Sequence, residues 1–246
     1  MRRKVALVTG SNRGIGRSCI IDFAKAGLDV IINYCHHEDE AFELEEYIKK
    51  NYKVNVLTIQ CDVSKEDEVE CMVNQIIDTF GGIDILVNNA GVARDSLLMD
   101  KNIKEFKRVI DVNLIGTYLV SKYVGRVMLE QKYGKIINIS STNALDSYYP
   151  ESCDYDASKA GIISLTHNFA RTLAPNITVN CLCPGWVKTA MNKDLSIEQI
   201  EEEKKKILLG RFAKPEDISK MVMFLASTKA SYINDAIIKV DGGKYN

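Results

Sequence analysis

Short apolar segments alternate with longer amphipathic segments along the chain. Seven apolar runs have the length of a β-strand, and they cover residues 5–8, 30–32, 54–59, 83–87, 136–139, 177–183 and 236–240. Between these runs apolar residues recur with helical spacing, as at positions 69, 72, 73, 76, 77 and 80. Uninterrupted apolar strands that alternate with helices are typical of a parallel sheet covered on both faces. The pattern predicts an α/β fold with a seven-stranded parallel sheet.

No linker rich in Pro, Gly or Ser and no repeat interrupts this alternation, so we expect residues 1–246 to form a single domain. The most highly charged segment covers residues 196–209, where three glutamates at 201–203 meet three lysines at 204–206 at i,i+3 spacing. This helical segment is either a solvated surface helix or a mobile flap over a cleft. On the second interpretation, residues 190–210 form a substrate lid.

Composition excludes several classes of protein. The 32 Lys and Arg residues balance 33 Asp and Glu residues, which disfavours nucleic-acid binding as the main function. No apolar run has the length of a membrane span, and the run after the basic start is too short for a signal peptide. Seven cysteines form no C-x-x-C and mostly lie in apolar patterns, so we expect reduced thiols and a cytoplasmic protein without a metal site.

A glycine-rich motif, TGSNRGIG at residues 9–16, lies between the first predicted strand and the helix that follows it. Glycines allow a tight turn and let backbone N–H groups approach a pyrophosphate, whose charge the helix N-terminus favours. The G-x-x-x-G-x-G spacing is weak evidence as a bare pattern, and its position in the first strand-to-helix turn is what makes it specific. It predicts dinucleotide binding by Gly10, Ser11, Asn12, Arg13, Gly14, Ile15 and Gly16.

The end of the second predicted strand bears on the choice of cofactor. It falls near Asn33 and Tyr34, where an NAD-binding protein usually places a carboxylate on the adenosine ribose. Asp29 lies at the opposite end of the strand, and Glu38 follows later in the loop. The Arg13 guanidinium suits a 2′-phosphate, although a solvated loop residue is the alternative. We therefore predict a preference for NADPH over NADH.

Polar residues also follow the third and fourth predicted strands. Asp62, followed by Val63, is placed to accept a hydrogen bond from an adenine amino group, or else to cap a helix together with Ser64. Residues 88–91 read NNAG, and their two amides can bind either neighbouring strands or the cofactor. Gly91 would let the backbone and a ligand come close.

Tyr155 and Lys159 lie four positions apart in a predicted helix, so their side chains share one face. The spacing alone is weak, because 11 tyrosines and 32 basic residues in 246 positions give about 1.4 chance pairs, and Tyr118 with Lys122 is another instance. Ser140 and Ser141 at the end of the preceding strand distinguish the pair at 155 and 159, because open α/β sheets place their chemistry there. We expect the ammonium to lower the phenol pKa from about 10 toward neutrality.

Taken in order, these motifs resemble those of the short-chain dehydrogenase/reductase family over essentially the whole chain. The resemblance implies a single Rossmann-type doubly wound domain with helices on both faces of the sheet, and a nicotinamide cofactor. The matching motifs are residues 9–16, Asp62-Val63, residues 88–91, Asn113, Ser141, Tyr155 with Lys159, Pro184-Gly185 with Thr189, and residues 241–243. Further cofactor contacts are implied for Asn89, Ala90, Gly91, Tyr155, Lys159, Pro184, Gly185, Val187 and Thr189.

The same resemblance implies a catalytic tetrad of Asn113, Ser141, Tyr155 and Lys159. Tyr155 would protonate a carbonyl oxygen, or deprotonate the alcohol in reverse, while Lys159 binds the nicotinamide ribose. Ser141 would hold the substrate oxygen, and Asn113 would anchor a water that relays protons through the lysine. Thr189 would orient the nicotinamide amide.

Two departures from the family pattern affect these assignments. Tyr155 follows Ser141 by 14 positions, one more than in many relatives, so Ser140 stays a lesser candidate. Residues 232–235 read YIND where relatives often read YITG. Asp235 thus replaces a glycine, although Asp tolerates a left-handed backbone better than most residues.

The nearest resemblance within the family is to 3-oxoacyl-[acyl-carrier-protein] reductases, through length and the phrase RFAKPED at residues 211–217. It implies NADPH-dependent reduction of a 3-oxoacyl thioester, with Lys132 at the cleft mouth for an acidic carrier protein, whereas residues 173–176 lack the second basic side chain. The substrate side should be lined by residues 142–154, which include Tyr148, Tyr149, Glu151 and Asp154. That polar and aromatic mixture equally suits a sugar, polyol or other small ketone.

Two further expectations concern function class and assembly. A non-catalytic NADP-binding regulator on the same fold is the alternative to an enzyme, and the complete tetrad favours the enzyme. Family members of this kind are usually homotetramers in which the helix containing Tyr155 and the helix before it pack on a neighbour. Ala160-Gly161, Ile163, Leu165 and Phe169 permit such packing but would equally serve the core of a monomer.

Overall fold

Every predicted apolar run forms a strand of one parallel sheet in the computed structural model, which describes residues 2–146, 149–192 and 195–244. The bounds of β1 are those predicted, and those of the other strands differ from the predicted ones by at most two residues. The strands are β1 (Val5–Val8), β2 (Asp29–Tyr34), β3 (Val56–Gln60), β4 (Ile85–Asn88), β5 (Gly134–Ile139), β6 (Ile177–Pro184) and β7 (Ile237–Val240). The predicted seven-stranded parallel sheet is confirmed.

The strand order is β3-β2-β1-β4-β5-β6-β7. The chain runs outward from β1 to β3, returns to the other side of β1 with β4, and continues outward to β7. Val8 at the end of β1 consequently pairs with Ile32 of β2 and Val87 of β4. In open α/β sheets a ligand crevice lies at the carboxyl ends of the strands where the order reverses, here between β1 and β4.

Helices cover both faces of the sheet, as predicted. Their bounds are α1 (Gly14–Lys25), α2 (Glu38–Asn51), α3 (Glu66–Phe80), α4 (Ile103–Ile110), α5 (Gly116–Gln131), α6 (Cys153–Leu173), α7 (Ile197–Lys205) and α8 (Pro215–Ala226). Helices α1, α2 and α8 bury apolar residues against one face, and α3, α5 and α6 bury theirs against the other. Neighbouring strand residues serve opposite cores, since Ala6 and Val8 face the first and Leu7 the second. This explains why the strands show no alternation of polar and apolar residues.

Three local features position the candidate site. Helix α6 begins at Cys153, two residues before Tyr155, so the tyrosine lies in its first turn. A wide π-helical turn (Asp111–Ile115) joins α4 to α5 and contains Asn113. Asp235 adopts the left-handed conformation with φ 63°, so this aspartate accommodates the turn at which relatives often carry glycine.

Helix α7 confirms the helical prediction for the charged segment. It begins with a capping box between Ser196 and Gln199, and none of its residues is fully buried. The predicted i,i+3 ion pairs form between Lys204 and Glu201 (2.6 Å) and between Lys206 and Glu203 (2.5 Å). Among the described residues, no helix combines the length and apolarity needed to cross a bilayer. All seven cysteines are free thiols.

Candidate active site

The glycine-rich turn forms a tightly packed cradle after β1. Gly10 and Gly14 both have positive φ, near 59° and 58°. The Asn89 side chain donates to the carbonyl oxygens of Thr9 (2.9 Å) and Gly10 (3.0 Å). A Cβ atom at Gly16 would lie only 2.7 Å from the amide nitrogen of Asn89. Larger residues at these glycines would therefore displace the turn.

The end of this turn fits an anionic group. Helix α1 begins at Gly14; its N-cap residue, Arg13, makes no side-chain cap, and the first turn carries no acidic residue. The partial positive charge of the helix N-terminus is thus left for a ligand. Thr189 lies against the same turn, because a Cβ at Gly14 would be 3.4 Å from its methyl group. The residues present suit the diphosphate of a dinucleotide, with Arg13 exposed beside it.

Asn33 and Tyr34, predicted as cofactor contacts, direct their polar groups into the protein. The side-chain oxygen of Asn33 accepts from the Gly10 backbone N–H (3.0 Å), and its amide donates to the carbonyl of Cys61 (3.2 Å). The Tyr34 hydroxyl donates to Glu38 (2.9 Å). Asn33 therefore stabilises the glycine-rich turn by linking Gly10 to the residue that follows β3.

Asp62 lies at the carboxyl end of β3, as predicted, and is held in a polar cluster. Its carboxylate accepts from the backbone N–H (3.0 Å) and hydroxyl (2.7 Å) of Ser64, and it pairs with Arg108 at 3.0 Å. Burial opposes its ionisation, but these hydrogen bonds outweigh burial and lower the carboxyl pKa. The alternative as a helix N-cap is wrong, because α3 begins at Glu66 with Lys65 as its N-cap.

The Asn88 amide at the end of β4 binds helix α5 and the neighbouring strand β5. Asn88 donates to the hydroxyl of Ser121 and to the side-chain oxygen of Asn138, both at 2.8 Å. Gly91 lies beside the catalytic candidates, since a Cβ there would be 3.3 Å from Asn113 and 3.6 Å from the Lys159 ammonium. This close approach explains the need for glycine at that position.

Ser141, Tyr155 and Lys159 come together at the carboxyl end of β5. The Lys159 ammonium lies 5.4 Å from the centre of the Tyr155 ring and donates to the carbonyl of Ile139 (2.9 Å). The Ser141 side chain adjoins the Tyr155 phenol and opposes the rise of its pKa, while its hydroxyl donates to the side-chain oxygen of Asn143 (3.2 Å). Ser140 turns away, because its hydroxyl donates to the Lys159 carbonyl (2.7 Å). The geometry thus favours Ser141 over Ser140 as the serine of the site.

The electrostatics of this pair differ from the prediction. Burial raises the Tyr155 pKa to about 12; Ser141 opposes the rise, and the charges of Asp156 and Asp95 add to it. Burial also lowers the Lys159 pKa to about 8. The expectation that the ammonium draws the phenol pKa toward neutrality is wrong for this structure, because desolvation of the partly buried phenol raises its pKa and the Lys159 ammonium donates to the Ile139 carbonyl.

Asn113 is completely buried and tied to the loop after β4. Its side-chain oxygen accepts from the Val92 N–H (2.8 Å), and its amide donates to the Val92 carbonyl and the Ser158 hydroxyl, both at 3.0 Å. Ser158 in turn donates to the Tyr155 carbonyl (2.7 Å). The side chain therefore braces the first turn of α6, and the water-anchoring role stays a prediction.

Tyr118 and Lys122 form no comparable site. Tyr118 is exposed on α5, and Lys122 pairs with Glu66 at 2.7 Å. Lys132 is likewise misplaced relative to the prediction, since it ends α5 just before β5 begins at Gly134. It lies at the amino edge of the sheet, about 20 Å of strand from the carboxyl edge. The prediction that it flanks this chain's own cleft is wrong.

The predicted substrate loop is only partly open to a ligand. Asp154 is completely buried in an ion pair with Lys101, so it does not line a cleft. Glu151 is exposed, and Tyr149 is half-buried. Tyr148 lies outside the described residues, as do residues 193 and 194 of the predicted lid.

A cluster that sequence reasoning missed joins this loop to α7. Glu203 accepts hydrogen bonds from the indole N–H of Trp186 (2.9 Å) and the hydroxyl of Tyr149 (3.1 Å). The Trp186 ring stacks on Phe212, with ring centres 5.4 Å apart, and meets Tyr149 edge-on at 6.1 Å. The available signal was that the chain's single tryptophan follows Pro184-Gly185, a motif already assigned to the cofactor.

A doubly wound sheet, a dinucleotide cradle at its switch point and a Ser-Tyr-Lys cluster beside it define a nicotinamide-dependent oxidoreductase. A family model described as enoyl-(acyl carrier protein) reductase matches residues 10–245. The chain belongs to the short-chain dehydrogenase/reductase family.

Named relatives cover the chain from end to end. It is 43% identical to the 3-oxoacyl-[acyl-carrier-protein] reductase FabG of Staphylococcus aureus over 244 residues, 98% of each chain. It is 39% identical to the corresponding Aquifex aeolicus protein over 246 residues, 100% of this chain and 98% of the relative. Among solved structures, a Serratia marcescens short-chain dehydrogenase/reductase mutant matches with TM-score 0.92 at 34% identity, covering 98% and 97%. Levodione reductase matches with TM-score 0.93 at 28% identity, covering 98% and 96%.

Proposed function

We propose that this protein is an NADPH-dependent reductase that converts the ketone of a 3-oxoacyl thioester into a secondary alcohol. The observation that carries the proposal is the meeting of Ser141, Tyr155 and Lys159 at the carboxyl end of β5. The Staphylococcus aureus and Aquifex aeolicus relatives carry the name of this activity. The family model carries a different one, enoyl reduction, which makes an enoyl thioester a necessary comparison in the assay.

The site residues divide the work of carbonyl reduction among them. The bound nicotinamide cofactor supplies the hydride. Tyr155 donates the proton to the carbonyl oxygen, and the Ser141 hydroxyl beside the phenol holds that oxygen in place. Lys159, anchored on the Ile139 carbonyl, is placed to hold the nicotinamide ribose and to replace the proton that the phenol gives up. Asn113 keeps the first turn of α6 fixed through Ser158.

The preference for NADPH is supported by the charges around the adenosine end of the cradle. Arg13 is exposed at the start of α1 and is free to pair with a 2′-phosphate. Two carboxylates in the first turn of α2 are engaged, because Glu38 accepts from Tyr34 (2.9 Å) and Glu40 accepts from Asn12 (3.1 Å). Neither is offered freely to a ribose hydroxyl.

The lid function of residues 190–210 is supported by the Glu203 cluster. One carboxylate oxygen joins α7 to Tyr149 of the substrate loop and to Trp186 beside the cofactor motif. A movement of α7 would therefore displace residues on both sides of the cleft. The lid belongs to the same domain, residues 1–246, as the sheet.

A small ketone is the second candidate substrate. Tyr149, Trp186 and Glu203 form a wall that is both aromatic and polar, which suits a compact carbonyl compound as well as a thioester. Of the similar structures, levodione reductase is named for such a compound. The carrier protein of the first candidate would need a basic surface other than Lys132 of the same chain.

A homotetramer is supported by apolar side chains left open on α5. Tyr118 and Leu129 are 43% and 46% exposed, and Tyr118 meets Phe169 of α6 at 6.2 Å. Gly161 packs within the chain, which is one of the two roles expected for it, because a Cβ there would lie 2.7 Å from Leu114. Sedimentation velocity tests the assembly, and a monomer would refute it.

A steady-state panel tests the function. NADPH oxidation is followed with 3-oxoacyl and enoyl thioesters and with small diketones and sugars, and a 3-oxoacyl thioester should give the highest kcat/KM. Higher kcat/KM for an enoyl thioester or a diketone would overturn the substrate assignment. Tight NADPH binding without turnover of any carbonyl would support a regulator instead.

A further inference from the structure

A buried ion pair outside the tetrad connects two segments that flank the site. The Lys101 ammonium lies 3.1 Å from the Asp154 carboxylate, and the two side chains are 4% and 0% exposed. Lys101 also donates to the backbone carbonyls of Arg94 and Glu151, the latter at 3.2 Å. Removing two charges from water is unfavourable unless the geometry is good, so this arrangement calls for an explanation.

Asp154 connects the ion pair directly to the catalytic tyrosine. The carboxylate oxygen that faces Lys101 also accepts a hydrogen bond from the Tyr155 backbone N–H (2.9 Å). Lys101 closes the loop that follows β4 and Gly91, and its bond to Glu151 reaches the turn that precedes α6. The ammonium thus holds the first turn of α6 against the loop on the cofactor side of the site.

The second oxygen of Asp154 strengthens this interpretation. It is buried and has no hydrogen-bond partner within the described residues. A buried carboxylate with one unpaired oxygen is stabilised by the cation beside it. Lys101 therefore fixes the position of the residue that precedes Tyr155.

We propose that Lys101 and Asp154 are positioning residues for Tyr155, and that their charges must stay balanced for the first turn of α6 to be held in place. This inference rests on the proposed role of Tyr155 as proton donor.

The surroundings of the phenol are mostly acidic, which makes that balance matter. Asp95 and Asp156 raise the Tyr155 pKa, and Cys183 acts in the same direction; Ser141 opposes them and Lys159 lies over the ring. Asp95 itself is influenced by Lys101, Asp154 and Glu151. Removing either charge of the pair changes the net charge of this acidic group by one.

Three variants of the full chain test the proposal: K101M, D154N and the double variant K101M/D154N, with K104M on the exposed side of α4 as control. K101M leaves the carboxylate buried without its cation, so kcat should fall about 10- to 100-fold, since small misplacements of a catalytic group have effects of that size. The double variant should recover most of the loss, because Asn still accepts from the Tyr155 N–H. NADPH binding should change less than about twofold in all of them, since the pair does not touch the cradle.

The pH dependence separates positioning from simple support of the fold. D154N removes a negative charge and leaves the Lys101 ammonium. The alkaline limb of the pH profile of alcohol oxidation, which is assigned to deprotonation of Tyr155, should therefore move to lower pH. In the double variant the limb should return to the wild-type position. Wild-type kcat and an unmoved limb in every variant, with only Tm lowered, would overturn the inference.

Hydrogen exchange measured by mass spectrometry gives a readout that needs no turnover. Peptides covering residues 94–101 and 150–158 should lose protection in K101M and regain it in the double variant. If the unmodified chain reduces no carbonyl but this exchange pattern holds, the proposed function fails and the positioning role stands. If the chain is active and exchange is unchanged in K101M, the positioning role fails and the function stands.

Discussion

Replacing Lys159 by Met should stabilise the fold at neutral pH while it abolishes turnover. The ammonium is enclosed among β5, β6 and α6, and burial lowers the Lys159 pKa from 10.5 to about 8. Lowering the Lys159 pKa from 10.5 to about 8 corresponds to about 3 kcal/mol of destabilisation of the charged form. The variant also leaves the Ile139 carbonyl without its donor, which costs about 1 kcal/mol. The net stabilisation expected for K159M is about 2 kcal/mol at pH 7.

The sign of the pH dependence follows from proton binding. Between about pH 8 and pH 10.5 the unfolded chain binds a proton at Lys159 that the folded chain has released. Stability of the wild type therefore rises with pH across this window as the penalty for the buried ammonium is relieved. The advantage of K159M should be complete below about pH 8 and should shrink steadily toward pH 10.5.

Urea unfolding at pH 7.0, 8.5 and 9.5 measures this directly, with the exposed K104M variant as a control that should follow the wild type. The reasoning would be refuted if K159M were no more stable than the wild type at pH 7. It would also be refuted if the difference stayed constant with pH, because the gain would then reflect packing of the methionine and not removal of a charge.

Three further results are expected. Tyr155→Phe should lower kcat about 10²- to 10⁴-fold with NADPH binding unchanged, while Tyr118→Phe stays at wild type; retained turnover would remove the tyrosine from the mechanism. Arg13→Ala should lower kcat/KM for NADPH about 10- to 100-fold, since a hydrogen bond to a charged group contributes about 1.5–3 kcal/mol. The kcat/KM for NADH should stay within about twofold of the wild type. Equal losses with both cofactors would show a general structural role. Glu203→Gln should shift the fluorescence of Trp186 and raise substrate KM about threefold, because it weakens one hydrogen bond. An unchanged spectrum would refute the role of the Glu203 cluster.

The sequence pattern predicted those features that depend on neighbouring residues alone, namely the strands and the glycine-rich turn. The strands were found because both faces of a parallel sheet are buried, which leaves apolar runs in the sequence, as at Leu7 between Ala6 and Val8. The glycine turn was found because positive φ at Gly10 and Gly14 leaves a recognisable composition. The acceptable fit of Asp235 in place of glycine followed from the same rule.

The prediction for Lys132 failed although the sequence held the information needed. The chain runs from Lys132 through β5 to Ser141, so the length of the strand separates the two side chains. The partner of a buried amide, in contrast, is not encoded in a short motif. The side-chain oxygen of Asn33 accepts from the backbone N–H of Gly10, which lies 23 positions earlier in the chain.

The Tyr155 pKa is the most informative of these failures, because it changes the view of how the site is prepared. Burial raises the Tyr155 pKa to about 12, so the phenol carries its proton at pH 7 and can act as a donor. Burial lowers the Lys159 pKa to about 8, which makes its ammonium a better source of a proton for the phenol than an exposed lysine would be. Both shifts arise from burial in the folded chain, which the spacing of the two residues in the sequence does not reveal.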